Sequence, residues 1–256
     1  MTISSMTNQY IYRNYQSLAS GRRINSSSDD AAGAAIAQKL KSQENGYDAA
    51  NRNAGTSQDM LKVADGALGS ITDSLQRIRE LSVQAYNGLY TDADRGAIQA
   101  EIDQLKQSIS DTASQSQFNT KNLLDGTMGS SHVAAAPNGD GMDLNMPNAT
   151  LKALGIEDYD VSSGNFDISV IDDALDKVTS ARSSLGASSN RLDYTMAYNA
   201  NASYNLTASR SRIEDLDYPM AVSELKKKQL LQTFNMMMER KRLENENGRV
   251  LQFFRS

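Results

Sequence analysis

Apolar residues recur at alternating steps of three and four along two long stretches of this chain, and no other feature constrains the fold as tightly. In the first stretch Ile36, Leu40, Gln43, Tyr47, Ala50, Ala54, Ser57, Leu61, Ala64, Leu68, Ile71, Leu75, Ile78, Ser82 and Ala85 keep the spacing without a slip. Steps of three and four place residues on one helical face, so the stretch predicts a single helix with one apolar seam. At 1.5 Å per residue such a helix is roughly 75 Å long. Gly46, Gly55, Gly66 and Gly69 lie within it, where each lowers helix propensity unless it permits a close contact. In the second stretch Ile171, Ala174, Val178, Ala181, Leu185, Ser188, Leu192, Thr195, Asn199, Ala202, Leu206, Ser209, Ile213 and Leu216 repeat the pattern. Between them, residues 92–115 put Ile98, Ile102, Leu105, Ile109 and Thr112 on one face.

Seams of this kind bury their apolar side against other helices. Trp is absent, Phe occurs five times and only Pro137, Pro147 and Pro219 break the chain, which suits thin helix-on-helix contacts better than a thick core. The fold class expected is mainly α: an elongated antiparallel long-helix bundle with a small β-hairpin element and a separate C-terminal helix. Residues 122–165 supply the β element. There the helical period fails, and "HVAAAPNGDGMDLNM" alternates Met142, Leu144 and Met146 after a "PNGD" turn. "NATLKALG" predicts a brief helix stopped by Gly155. Thr91 and Asp94 form a capping-box pattern before the second helix. Pro219 disfavours helix at Tyr218, and Asp217 is placed to cap a final helix carrying Leu225, Leu230, Leu231, Phe234, Met237 and Met238.

The stretch "SLASGRRINSSSDDAAGAAIAQKL" sets an Arg pair, a Ser run and an Asp pair ahead of the first long helix. Ser27 or Ser28 is expected to cap that helix, with Asp29 and Asp30 favoured by its dipole. Adjacent carboxylates diverge around a helix, so the pair reads as a helix entrance and not as an acid/base or metal site. His132 is the one histidine and Cys is absent, which excludes a multi-His zinc site, disulfides and thiolate chemistry. No phosphate-binding Gly loop or nucleophile elbow is present. No enzyme activity and no cofactor are expected. No apolar run reaches the length of a bilayer span and the N-terminal residues lack signal-peptide character, so no membrane insertion is expected. Net charge is -5, yet residues 226–256 carry eight Lys and Arg against three Glu. Without interleaved aromatics this basic helix is expected to be a solvated face and to bind no nucleic acid.

"LASGRRINSSSDDAAGAAIA", "LQRIRELSVQA", "IQAEIDQL" and "SQFNTKNLLDG" resemble, in the same order, the N-terminal rod of bacterial flagellin. "VIDDALDKVTSARSSLGASSNRLDYT" and "NLTASRSRIEDLDY" resemble the flagellin C-terminal region. The resemblance implies a filament subunit in short form, with no variable outer domain between Asn122 and Asn165. It implies three parts: residues 1–20, a shortened N-terminal helix of the inner filament domain; residues 21–216, the helical rod with a β element at about 122–165; and residues 217–256, the C-terminal helix of the inner filament domain. "KKK" and "MERKRLENENGR" stand where the family's terminal helix is usually rich in Ala, Gln and Ser.

As further implications, the partners are other flagellin subunits in a helical homopolymer, an export chaperone at the C-terminal helix, filament cap and hook-junction proteins, and the animal Toll-like receptor for flagellin. The location implied is the extracellular flagellum, reached through the flagellar type III apparatus without a cleaved signal. The receptor surface of the family maps onto Gln76, Arg77, Leu81, Gln84, Ile98 and Glu101, with Arg77 as charged donor, Leu81 as apolar contact and Glu101 as acceptor. A hook-filament junction protein, or a non-polymerising flagellin-like binding protein, stands as the alternative.

Overall fold

The computed structural model describes residues 3–253, with side-chain environments from residue 9 to residue 247. The chain runs α1 (Ile3–Ser20), α2 (Ala31–Ala85), α3 (Asp92–Gln115), β1 (Gln117–Phe118), β2 (Lys121–Asn122), β3 (Ser130–Ala134), β4 (Gly141–Asn145), α4 (Leu151–Leu154), α5 (Ser169–Glu214) and α6 (Tyr218–Phe253). Residues 1–2 of the expected N-terminal helix and 254–256 of the expected C-terminal one lie outside the described residues. Two compact units result, one of Met1–Gln43 with Tyr204–Ser256 and one of Glu44–Ser203.

In the unit Glu44–Ser203 the periodic faces are the buried ones. Leu68, Ile71, Leu75 and Ile78 of α2, Ile102 and Ile109 of α3, and Ile171 and Leu192 of α5 are all fully inaccessible. Polar pairs fix the helix directions. Asp48, Gln58, Asp65 and Arg79 of α2 meet Ser203, Asp193, Arg182 and Asp172 of α5, in reverse order, at 3.1, 2.6, 2.8 and 2.6 Å. The two helices therefore run antiparallel through this unit. The reciprocal Thr91–Asp94 capping box starts α3, and Gly155, with φ of 86°, stops α4.

The β3–β4 hairpin pairs Ser130 with Asn145 through Ala134 with Gly141. This register turns Val133, Met142 and Leu144 into the core, at 6, 8 and 1 % exposure. Its turn is tied to the helices: Asn53 Nδ2 donates to the Ala134 carbonyl at 3.2 Å and the buried Asn199 Nδ2 to the Ala135 carbonyl at 2.8 Å. A second, tighter hairpin, β1–β2, turns on Asn119 and Thr120, both left-handed with φ of 48 and 65°. Sequence spacing did not reveal it, because two-residue strands have no period to detect.

Of the four glycines that interrupt the first seam, Gly46 alone makes the close contact that the sequence allowed. A methyl added at Gly46 would stand 2.7 Å from Pro137 Cβ and 3.1 Å from its Cα, whereas Gly55, Gly66 and Gly69 face open space. Gly66→Ala is therefore expected to raise stability by up to about 1 kcal/mol through helix propensity and a less flexible unfolded chain. Gly46→Ala is expected to lower it, because the hairpin turn must move. Urea unfolding of the two variants checks the opposite signs.

In the unit Met1–Gln43 with Tyr204–Ser256 the core is thin: Ile24, Ala37, Ala221 and Leu225 are its buried apolar residues among those described. Ile36, assigned to the seam, is 51 % exposed. The buried face here is Gly33 and Ala37, covered by the Ile24 side chain, and one residue is a turn of about 100° around a helix.

The cap of α2 also differs from expectation. Asp30, not Ser27 or Ser28, caps it, accepting from the Gly33 N–H at 2.8 Å. Asp29 closes the preceding turn by accepting from the Asn25 and Ser26 amides at 3.1 and 2.9 Å. Those amides hold its carboxyl below the usual range. The Arg pair serves the end of α5. Arg23 donates to the Ile213 carbonyl at 2.7 Å through its guanidinium and to the Glu214 carbonyl at 2.7 Å through its backbone, and Arg22 pairs with the Glu214 carboxylate at 2.9 Å. Cations at a helix C-terminus satisfy its orphan carbonyls and oppose its dipole.

Asp217 caps α6, accepting from the Met220 N–H at 3.1 Å. Contrary to the expected break, Tyr218 is the first helical residue. Pro219 falls in the first turn, where no N–H is required of it.

Candidate interaction surface

Two surfaces are candidates for function. The first is the end of the unit Glu44–Ser203 where α2 passes into α3. Arg77 Nε and Nη2 donate to Glu101 Oε1 at 2.9 and 2.8 Å, and Nη1 donates to Glu80 Oε2 at 3.1 Å. Glu101 first, then Glu80, hold the guanidinium above the ordinary arginine range. Gln84 Nε2 donates to the Tyr90 hydroxyl at 2.9 Å, and Gln76 is exposed. Four of the six expected residues thus lie at the surface.

Leu81 and Ile98 do not. They are 2 and 8 % exposed and belong to the core, so Leu81 offers no apolar contact to a partner. Ile98 lies on the α3 seam, and the periodicity that defined the seam already required its burial. Leu81 follows the seam residue Ile78 by one turn; α2 packs against two helices here and buries a stripe wider than a single seam. Glu80 and Tyr90 join the surface in their place, through their bonds to Arg77 and Gln84.

The second surface is formed by α1 and α6. Gln229 Nε2 donates to the Tyr15 hydroxyl at 3.0 Å, and Lys228 Nζ sits 4.6 Å from the centre of the Tyr10 ring. Beyond these contacts α6 presents Leu230, Phe234, Met237 and Leu243 at 71, 58, 64 and 57 % exposure. Side chains of this size left in water mark an interaction face. The basic end of α6 pairs within itself, Arg240 with Glu244 and Arg242 with Glu246, at 3.2 and 3.4 Å.

His132 Nδ1 bonds Asp143 Oδ1 at 2.8 Å across the β3–β4 hairpin; Asp143, then the Gly139 carbonyl, raise its pKa above the ordinary value. Among the described residues no three His, Cys, Asp or Glu are grouped to hold a metal ion, and no helix is long and apolar enough to cross a membrane.

Antiparallel long helices with polar groups committed to caps and inter-helix pairs, and with apolar side chains left on the terminal helices, define a helical structural protein. The chain belongs to the bacterial flagellin family, the class of protein from which flagellar filaments are built. Residues 2–128 match the bacterial flagellin N-terminal helical region and residues 168–254 the bacterial flagellin C-terminal helical region. The chain is 38 % identical over 245 residues to the flagellar filament 33 kDa core protein of Treponema phagedenis, covering 88 % of this chain and 86 % of that one. Identity to flagellin FlaB2 of Treponema pallidum (strain Nichols) is also 38 % over 245 residues, with the same coverage. The crystal structure of Bacillus cereus flagellin superposes with a TM-score of 0.52 at 29 % identity, covering 58 % of this chain and 88 % of that one.

Proposed function

We propose that this chain is a short-form flagellin that polymerises along the length of the flagellar filament, with α1 and α6 supplying the inner contacts. The observation that carries this reading is the run of large apolar side chains left exposed on α6. A helix of that composition loses little by remaining in water only until a partner covers it, and in a homopolymer the same face is covered in every subunit. The same face suits an export chaperone before assembly, and filament cap and hook-junction proteins are its neighbours at the ends of the polymer. Export through the flagellar type III apparatus to an extracellular location completes the proposal. Gold-labelled antibody against this chain should decorate filaments along their whole length. Labelling confined to the filament base would identify a junction protein instead.

The surface around Arg77 is proposed as the contact for the animal Toll-like receptor for flagellin, with Gln76, Gln84 and Glu101 beside it. Its support is the family likeness together with the exposure of these four side chains. Arg77→Ala is expected to weaken binding of the monomer to the receptor ectodomain by at least about 1 kcal/mol. The rod should stay folded, since the ion pairs lost are exposed and worth under about 1 kcal/mol. Calorimetry with Arg77→Ala and Glu101→Ala checks this; unchanged affinity in both would remove the surface from the account.

A further inference from the structure

Asn-Gly occurs four times in the chain, at Asn45, Asn87, Asn138 and Asn247, and the structure gives the four very different surroundings. We propose that Asn87 is a self-modification site, at which the backbone nitrogen of Gly88 attacks the Asn87 side-chain amide. The N–Cγ bond forms, the Cγ–Nδ2 bond breaks, and the nitrogen leaves as ammonia with the proton taken from Gly88, giving a succinimide ring. Water then adds to either ring carbonyl and leaves aspartate or isoaspartate.

The reaction needs an amide nitrogen able to lose its proton, a polarised side-chain carbonyl, an unhindered following residue and a backbone free of helical restraint. Asn87 meets all four conditions. It is exposed, in the turn between α2 and α3. The Leu89 N–H donates to Asn87 Oδ1 at 3.1 Å, which draws electron density from Cγ and stabilises the oxyanion formed on attack. The Gly88 N–H has no hydrogen-bond partner among the described residues, and the space around Gly88 is open.

Asn138 shares the polarised carbonyl, accepting from the Asp140 N–H at 3.2 Å. Its nucleophile is occupied, however, because the Gly139 N–H donates to the Ala136 carbonyl at 3.1 Å. Its leaving group is held by the Asp140 carboxylate. Asn45 and Asn247 lie inside α2 and α6, where the helical backbone keeps the following nitrogen away from Cγ.

Modification adds a negative charge to the turn between α2 and α3, five residues ahead of Asp92 in the chain, and isoaspartate adds a methylene to the main chain. The Asn87 carbonyl accepts from the Tyr90 N–H at 3.1 Å, so the longer turn also displaces Tyr90 from Gln84.

The test is incubation of the intact chain at mildly alkaline pH, followed by peptide mapping for amide-to-acid conversion and enzymatic methyl-labelling of isoaspartate. Asn87 is expected to convert first, roughly a hundredfold faster than Asn45, the factor that loss of near-attack geometry costs. The rate should rise with pH, and Gly88→Ala should slow conversion at Asn87 alone. Conversion of Asn138 at an equal or greater rate, or an intact Asn87 under conditions that convert the isolated peptide, would overturn the proposal.

Discussion

A chain ending before Tyr218 is expected to form no filaments. Leu230, Phe234 and Met237 stand in water on α6, and burying each in an assembly is worth about 1.5–3 kcal/mol. At 1.4 kcal/mol per factor of ten, losing three such contacts raises the concentration needed for polymerisation roughly a thousandfold or more. Sedimentation after addition of filament fragments checks this, and polymerisation of the truncated chain at the normal concentration would show that α6 is dispensable. The unit Glu44–Ser203 should survive the deletion, because its core includes nothing from α6. In the full-length monomer, amide exchange beyond Tyr218 is expected to be fast, since Ala221 and Leu225 are the buried α6 residues among those described, and so thin a buried face does little to hold a helix. Assembly or a bound chaperone should slow it.

The opposite behaviour is expected at Leu75. Its side chain is wholly inaccessible on the α2 seam, so Leu75→Ala leaves a cavity in the core that α2 shares with α3 and α5. The expected loss is about 3–5 kcal/mol of unfolding free energy, measurable by urea denaturation followed by circular dichroism. Phe234→Ala, at an exposed position of α6, should change monomer stability by less than about 0.5 kcal/mol while impairing polymerisation. These two variants separate the residues that hold the subunit together from those that join one subunit to the next. Equal stability losses would mean that α6 is packed in the monomer.

The long seams were legible because burial in a helix bundle repeats with the backbone, so that Leu61, Leu68 and Leu75 announce a shared face in any context. The β3–β4 hairpin was legible for the same reason at a period of two, with Gly139 at a positive φ of 88° in its turn. Contacts without a period were not. Arg23 and the Ile213 carbonyl lie 190 residues apart, and nothing local in "GRRIN" says that the guanidinium closes the end of another helix. The Asp29–Asp30 pair was legible as a helix entrance, but which of the two caps depends on where the turn at Asn25 and Ser26 places it.

Which residues of the candidate surface reach solvent was half legible. Helical spacing correctly brings Arg77 and Gln84 to one side, but it describes one helix at a time. Whether Leu81 faces solvent depends on how many helices pack against α2. Ile98 shows the same limit from the other direction, since a family's contact surface and its core seam were both assigned to a residue that the fold gives to the core.

The most direct test of the central claim is seeded polymerisation of the purified full-length chain, imaged by electron microscopy. Fragments of a filament from a related flagellin serve as seeds, and antibody to this chain marks what is added. Labelled helical tube growing from the seed ends, with depletion of monomer from solution, is the result predicted by subunits joining through α1 and α6. Monomer that persists, with seed ends unextended under conditions that polymerise the related flagellin, would contradict it.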